Sequence, residues 1–167
     1  MTAFDEVSID FEIRPGDLGN LICLHGSLYG NENGYDMNFE MYVAKGVIEF
    51  HERHDPELDR LWLCRHSDHL VGSLLLMHRE GGAAQLRYFL IRPEYRGMGL
   101  GKKLMLLYMD FLVRNKYKSS YLWTTDEQTA AASLYVRHGF VLTEERPSTA
   151  FGKPLVEQRY DLSLPPT

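Results

Sequence analysis

The chain has 167 residues, 44% hydrophobic and 25% charged, a balance that predicts one globular domain over residues 1–167 with a core needing no metal or disulfide staples. Its formal net charge of −5 argues against nucleic acid, which asks for a basic surplus, and suits a cationic amine among other substrates. No apolar run approaches a membrane span, no leader-like stretch surrounds Asp5 and Glu6, and Cys23 and Cys64 sit among apolar neighbours as buried free thiols, so a cytoplasmic protein without membrane contact is expected.

Val7, Ile9, Phe11 and Ile13 alternate with polar residues and predict a first strand, closed at Pro15-Gly16-Asp17. Asp17 is placed to cap a helix carrying Leu18, Leu21, Ile22, His25, Leu28 and Tyr29 on one broad face, and Gly30 to Gly34 breaks it. Asp36 then caps a second helix, where Phe39, Val43, Val47 and Phe50 are spaced for a buried stripe. Beyond a loop at Asp55-Pro56, strands are predicted at Leu61 to Arg65, Leu70 to His78 and Ala84 to Ile91, turned by Ser67-Asp68 and Gly81-Gly82. A helix from Gly101 to about Tyr117 buries Leu104, Leu107, Tyr108, Phe111 and Leu112. Ser120 to Thr125 reads as a fifth strand. Thr125 or Asp126 caps the next helix, and Gly139 ends it in a left-handed conformation. Phe140 to Thr143 and Val156 to Leu162 form a final strand pair, joined by a loop holding Pro147 and Pro154. The order β-αα-βββ-α-β-α-ββ predicts an α/β fold, a mixed sheet with helices on both faces.

The stretch Arg92-Pro-Glu-Tyr-Arg-Gly-Met-Gly-Leu-Gly-Lys-Lys103 lies at the junction between the fourth strand and the third helix. Arg96, Gly99 and Gly101 make R-x-x-G-x-G, and glycines there let backbone N–H groups converge beside the positive end of a helix. Such a bowl suits a pyrophosphate. It is not a Walker loop, because no Ser or Thr follows the lysines. Nor is it a dinucleotide fingerprint, because the glycines alternate. Downstream, Ala131 to Phe140 places a helix ending in L-Y-x-x-x-G-F.

In this order the two motifs resemble the GNAT acetyltransferases, and the likeness runs from about Ile9 to Leu162. It is nearest to the GNAT domain of MarR-GNAT fusion proteins, with a similar H-G-x-L-Y…E-x-G-[YW]-D-x-x-F-E at His25 to Glu40 and F-G-x-x-L-V-x-Q at Phe151 to Gln158, and without the DNA-binding part. The resemblance implies the GNAT fold, about seven strands, with acetyl-CoA as acyl donor. It also implies transfer to a primary amine of a small molecule or peptide by direct attack in a ternary complex. Pairing of two copies through sheet edges or late strands is a further implication.

Carried onto this sequence, the family pattern assigns the cofactor to the backbone of Arg96, Gly97, Met98, Gly99, Leu100, Gly101 and Lys102. Lys102 and Lys103 either add charge there or merely solvate a helix turn. Unpaired N–H groups of Leu90, Ile91 and Arg92 would face pantetheine and the acetyl oxygen, since Pro93 ends the ladder. Tyr135 takes the family tyrosine position, either as donor to the leaving thiolate or as a packed ring. Two departures matter. Gln85 stands where many members carry a glutamate base, and Gln128 stands where relatives often have a pantetheine-binding asparagine.

The base would then come from the two-helix segment that floors the family's acceptor pocket, among His25, Tyr29, Glu32, Tyr35, Asp36 and Glu40. Glu32, expected in the inter-helix loop, is the candidate for holding or deprotonating the amine, or is an ordinary loop charge. His25 is either catalytic or a hydrogen-bonded core histidine. Trp123 joins His25, Tyr29, Glu32 and Tyr35 as expected acceptor-site residues. No metal is expected, because neither His51/His54 nor Cys64/His66/His69 has further ligands at finger or zincin spacing. The missing strand carboxylate leaves two other readings open: an acetyl-CoA-binding sensor with little catalysis, and transfer to oxygen or sulfur.

Overall fold

A computed structural model describes residues 6–166, and its elements follow the expected order. They are β1 (Val7–Asp10), α1 (Asp17–Asn33), α2 (Met37–Arg53), β2 (Arg60–His66), β3 (His69–Arg79), β4 (Ala83–Ile91), α3 (Leu100–Arg114), β5 (Ser119–Thr125), α4 (Thr129–Arg137), β6 (Val141–Ser148) and β7 (Leu155–Ser163). Seven strands form one sheet in the order β1-β2-β3-β4-β5-β7-β6, antiparallel throughout except for the parallel pair β4–β5.

Strand alternation divides the core into two layers. Leu61 and Leu63 of β2 and Leu75 and Met77 of β3 pack with Leu21, Phe39, Val43, Val47 and Phe50 under α1 and α2. Trp62, Cys64, Leu74 and Leu76 face the other side, against Leu104, Met105, Tyr108 and Leu112 of α3. In β4 the alternation inverts. Ala84 and Leu86 face the α3 layer, yet Tyr88 and Leu90 face the α1–α2 layer. The cause is one extra residue: Ser73 pairs with Leu90 but Leu75 pairs with Arg87, and Tyr88 takes a positive φ of 53°. Such a bulge re-aims every later side chain. The Ser73 hydroxyl pins it by donating to Tyr88 O at 2.6 Å.

Several local expectations are corrected. Asp17 does not cap α1, because Gly16 holds that position with φ 94°. Its carboxylate is instead buried on Arg65, at 2.8 and 2.9 Å from the two terminal nitrogens, and that hydrogen bonding holds it below the usual carboxylate range. The third helix stops at Arg114, before a left-handed Lys116. Neither Thr125 nor Asp126 caps α4: the Thr125 hydroxyl bonds that of Tyr35, and Asp126 accepts from the Val156 N–H. The sixth strand reaches Ser148, so Pro147 lies within an edge strand rather than a loop, a place a residue without N–H can occupy. Cys64 is buried, whereas Cys23 is exposed on α1.

Candidate active site

After β4 the chain makes one short turn at Pro93–Tyr95, and Arg96 folds back on it. Arg96 Nε donates to Ile91 O at 3.0 Å, and its guanidinium pairs with Glu32 Oε1 at 2.9 Å. Gly97 and Gly99 adopt φ of 76° and 83°, where a side chain is strained. Gly99 introduces α3 without a side-chain cap, and the first helical bond runs from the Lys103 N–H to Gly99 O at 3.0 Å. Among the described residues, the amides of Leu100, Gly101 and Lys102 are therefore left unclaimed at the positive end of a helix. The group they suit is an anion. Gly101 also seats the helix on β4, since a Cβ there would lie 3.2 Å from Ile91 Cδ1 and 3.3 Å from Phe89 Cζ.

Parallel pairing of β4 with β5 lasts only from Ala83↔Ser119 to Gln85↔Tyr121, and beyond it the strands part. A cleft of about 700 Å³ opens there, walled by Phe89, Leu90 and Ile91 on one side and by Thr124, Gln128 and α4 on the other. Gly97, Gly99, Leu100, Gly101 and Lys102 close its far end, while Arg92 and Met98 lie outside the lining. Arg92 was expected to offer its N–H and does not. That N–H donates to Val71 O at 2.9 Å, and Arg92 Nε donates to Leu70 O at 3.0 Å. Because N–H direction alternates along a strand, Leu90 turns its N–H toward β3 as well, and Ile91 points its own into the cleft.

Tyr135, Tyr29, Phe89, Thr124 and Gln128 line both this cleft and a second pocket of about 110 Å³, so the two meet at these side chains. The Tyr135 ring is buried beside Phe89, Phe140 and Tyr160, and burial pushes its phenol well above the ordinary value. Among the described residues its hydroxyl makes no hydrogen bond. Gln128 Nε2 donates to Asn33 Oδ1 at 3.1 Å. Next to it, Glu127 Oε2 is held by Lys153 at 3.0 Å, while Oε1 is buried with no donor.

The smaller pocket brings together four of the five expected acceptor residues, His25, Tyr29, Tyr35 and Trp123. The fifth, Glu32, is not in the inter-helix loop. It lies in the last turn of α1, lines the larger cleft and pairs with Arg96. Asp36 caps α2 by accepting from the Asn38 N–H at 2.9 Å, and neither it nor Glu40 lines the pocket. His25 is buried, with Nδ1 bonded to Leu21 O at 2.8 Å and Nε2 without a partner. Burial lowers its pKa to about 4, so the ring is neutral, and it sits against the Tyr29 and Tyr88 rings. Burial likewise raises the Tyr29 phenol to about 12. Gln85 Oε1 accepts from Arg79 Nε at 2.9 Å.

Sequence reasoning missed Arg87, Tyr42, Phe151 and Glu157, which also line the pocket. Phe151 and Glu157 belong to the F-G-x-x-L-V-x-Q segment. It meets the His25 to Glu40 segment through the Asp36 N–H on Phe151 O at 3.0 Å and through ring contacts of Phe151 with Tyr35 and Phe39. Arg87 keeps the face of Gln85, two residues before it, and the bulge adds Tyr88 to that face. Among the described residues no three His, Cys, Asp or Glu side chains gather as metal ligands, and no helix is long and apolar enough to cross a membrane.

The profile of the Acetyltransferase (GNAT) family matches residues 30–140. No curated protein matches the chain. Among solved structures, an acetyltransferase of Streptococcus agalactiae superposes with a TM-score of 0.77 at 22% identity, over 96% of this chain and 100% of that one. The yncA protein of Salmonella typhimurium, with its cofactor acetyl-CoA, gives 0.67 at 16% identity, over 96% and 95%. Spermidine N-acetyltransferase of Vibrio cholerae, in complex with CoA and spermine, gives 0.69 at 19% identity, over 95% and 96%.

Proposed function

The chain belongs to the GNAT family of acetyltransferases, and we propose that it transfers an acetyl group from acetyl-CoA to a primary amine by direct attack in a ternary complex. One observation carries this reading: the unclaimed amides of Leu100, Gly101 and Lys102 lie at one end of a cleft whose other end opens onto a separate, aromatic pocket at Tyr135. The groups present fit the donor. Amides at a helix start suit its pyrophosphate, the orphaned Glu127 Oε1 suits an amide N–H of pantetheine, and Gln128 lies between.

Acetyl-CoA, when bound, supplies the thioester. The chain's part is to hold and orient both reactants, which removes most of the entropic cost of their meeting. The Ile91 N–H, turned into the cleft, would face the acyl oxygen as it gains charge. Tyr135, kept protonated by burial, would hold its O–H toward the leaving sulfur and give up the proton only as negative charge builds there. His25 is neutral and presents Nε2 as an acceptor for an amine N–H. Glu32, with its two oxygens accepting from Arg96 at 2.9 and 3.2 Å, holds that guanidinium over the cleft and would reach the proton the amine releases only through water. The convergence of the His25 to Glu40 and Phe151 to Gln158 segments on one pocket supports kinship with the MarR-fused GNAT domains. Edge strand β6, exposed from Val141 to Pro147, is the surface through which two copies would pair.

Release of free CoA, followed across a panel of amines, tests the reading. Acetyl-CoA binding without acceptor-dependent release for any amine would refute it.

A further inference from the structure

We infer that Arg87 is the anion clamp of the smaller pocket and that the acceptor is a compact amine bearing a carboxylate. The inference rests on that pocket being the acceptor site. Arg87 and Tyr88 are consecutive, yet both side chains reach α2, because the bulge at Tyr88 inverts the alternation of β4. Gly46 makes room for them. A Cβ at that position would lie 2.6 Å from each of Arg87 Nη1 and Nη2 and would also collide with the Tyr88 hydroxyl. The guanidinium is stacked between rings, 5.4 Å from the Tyr42 centroid and 5.0 Å from that of Tyr88.

Held this way, Arg87 makes no ion pair and no side-chain hydrogen bond among the described residues. Glu49, one turn along α2 from Gly46, is already engaged by Arg79 and by Arg53. A guanidinium keeps its charge at any working pH, and its planar fork matches a carboxylate with two parallel bonds. The rest of the lining cannot supply that partner. Glu157 is the one carboxylate among the lining residues and lies 3.7 Å from Arg146, and His25 is neutral. A polyamine entering here would bring its positive charges to Arg87, whereas an amino acid brings the missing anion. The surrounding rings of Tyr29, Tyr35, Phe39, Trp123 and Phe151 and the small volume favour a short apolar body over a long chain.

The test is steady-state acetylation of the natural amino acids, each paired with its own amide, with spermidine alongside. Wild type should use at least one acid over its amide by about tenfold or more in kcat/KM, the scale of a charge-assisted hydrogen bond. Arg87→Gln should erase that preference through KM, and Arg87→Lys should retain part of it. Both should leave acetyl-CoA affinity and melting temperature near wild type, which shows that the variants fold. Equal use of acids and amides, or a preference for spermidine, overturns the inference while the acetyltransferase reading stands. If no acceptor turns over, calorimetry with the N-acetyl amino acids decides: binding lost in Arg87→Gln supports the clamp, and no binding to wild type overturns it. Failure of acetyl-CoA to bind would sink the donor reading and this inference together.

Discussion

Tyr135→Phe separates a hydrogen-bond donor from a packed ring. The substitution deletes one oxygen and keeps the ring contacts, with centroids 6.0 Å from Phe89, 6.1 Å from Phe140 and 6.2 Å from Tyr160. The hydroxyl has no partner among the described residues, so its loss breaks no bond within the fold, and the melting temperature should move little. Acetyl-CoA affinity should also hold, because the proposed pyrophosphate donors are backbone groups some distance along the cleft. The catalytic term is different. Loss of a positioned proton donor should lower kcat by about 10²-fold, within the usual range for general acid catalysis. That corresponds to roughly 2.7 kcal/mol of barrier. The assay is CoA release at saturating acceptor, with single-turnover measurements to confirm that chemistry limits. Since burial raises the Tyr135 pKa, wild type should lose no rate on the alkaline side through this group up to about pH 10, the ordinary phenol value. A drop of less than about threefold in the chemical step would leave Tyr135 a packing residue, for a deleted hydroxyl alone contributes little.

Three further outcomes are expected. Gly99→Val should weaken acetyl-CoA by more than tenfold in calorimetry, because φ 83° costs a β-branched residue about 1–2 kcal/mol or more and re-aims the amides beyond it; Lys103→Ala should matter far less, and equal losses would mean that charge holds the donor. Glu32→Gln should lower turnover or raise the amine KM more than Gln85→Ala does, since Glu32 positions Arg96 while Gln85 is occupied by Arg79; the reverse ranking would return the acceptor site to the strand. For His25 the folded pKa of about 4 lies below the ordinary value of 6.5, so as pH falls between them the unfolded chain takes up a proton that the native state refuses. Stability should therefore fall by roughly 3 kcal/mol across that window, and His25→Asn, which can keep the bond to Leu21 O, should flatten the slope measured by urea unfolding. An unchanged slope would mean that the ring takes up its proton as readily in the native protein as in the unfolded chain.

What the sequence made legible was whatever local spacing controls. The α2 stripe of Phe39, Val43, Val47 and Phe50 is buried as its period demands, the Ser67-Asp68 turn takes positive φ at both residues, and Gly97 and Gly99 are left-handed where the loop needs them. Errors arose where a distant partner outbid a local rule. Asp17 stands at a helix start and reads as a cap, but a buried arginine 48 residues away claims its carboxylate. Arg92 follows the unpaired stretch of β4 and reads as a donor, but strand parity turns its N–H back to Val71. Glu32 reads as a loop charge because Gly30 looks like a helix end, yet α1 runs on to Asn33 and only Gly34 turns left-handed.

One change of face within β4 left no local sign in the sequence. A strand reader assigns Arg87 and Tyr88 to opposite faces, and the single inserted residue at Tyr88 puts both on the same one. No residue type announced it, for a tyrosine at φ 53° is a conformation usually left to glycine or asparagine. The trace it leaves in the sequence is elsewhere, in Gly46. A glycine costs about 1 kcal/mol relative to alanine in a helix interior, and α2 carries it on its buried face beside Val47. Only a close approach by something bulky compensates such a cost, and here that something is the pair of side chains that share a face at the bulge. The bulge thus sets the Tyr88 ring beside the Arg87 guanidinium, which makes no ion pair among the described residues, at the smaller pocket. Gly46→Ala, whose Cβ would press on both the Tyr88 hydroxyl and the Arg87 guanidinium, should therefore raise the KM of an amine substrate while acetyl-CoA affinity in calorimetry stays near wild type; equal losses in both would refute the placement of the amine beside Arg87.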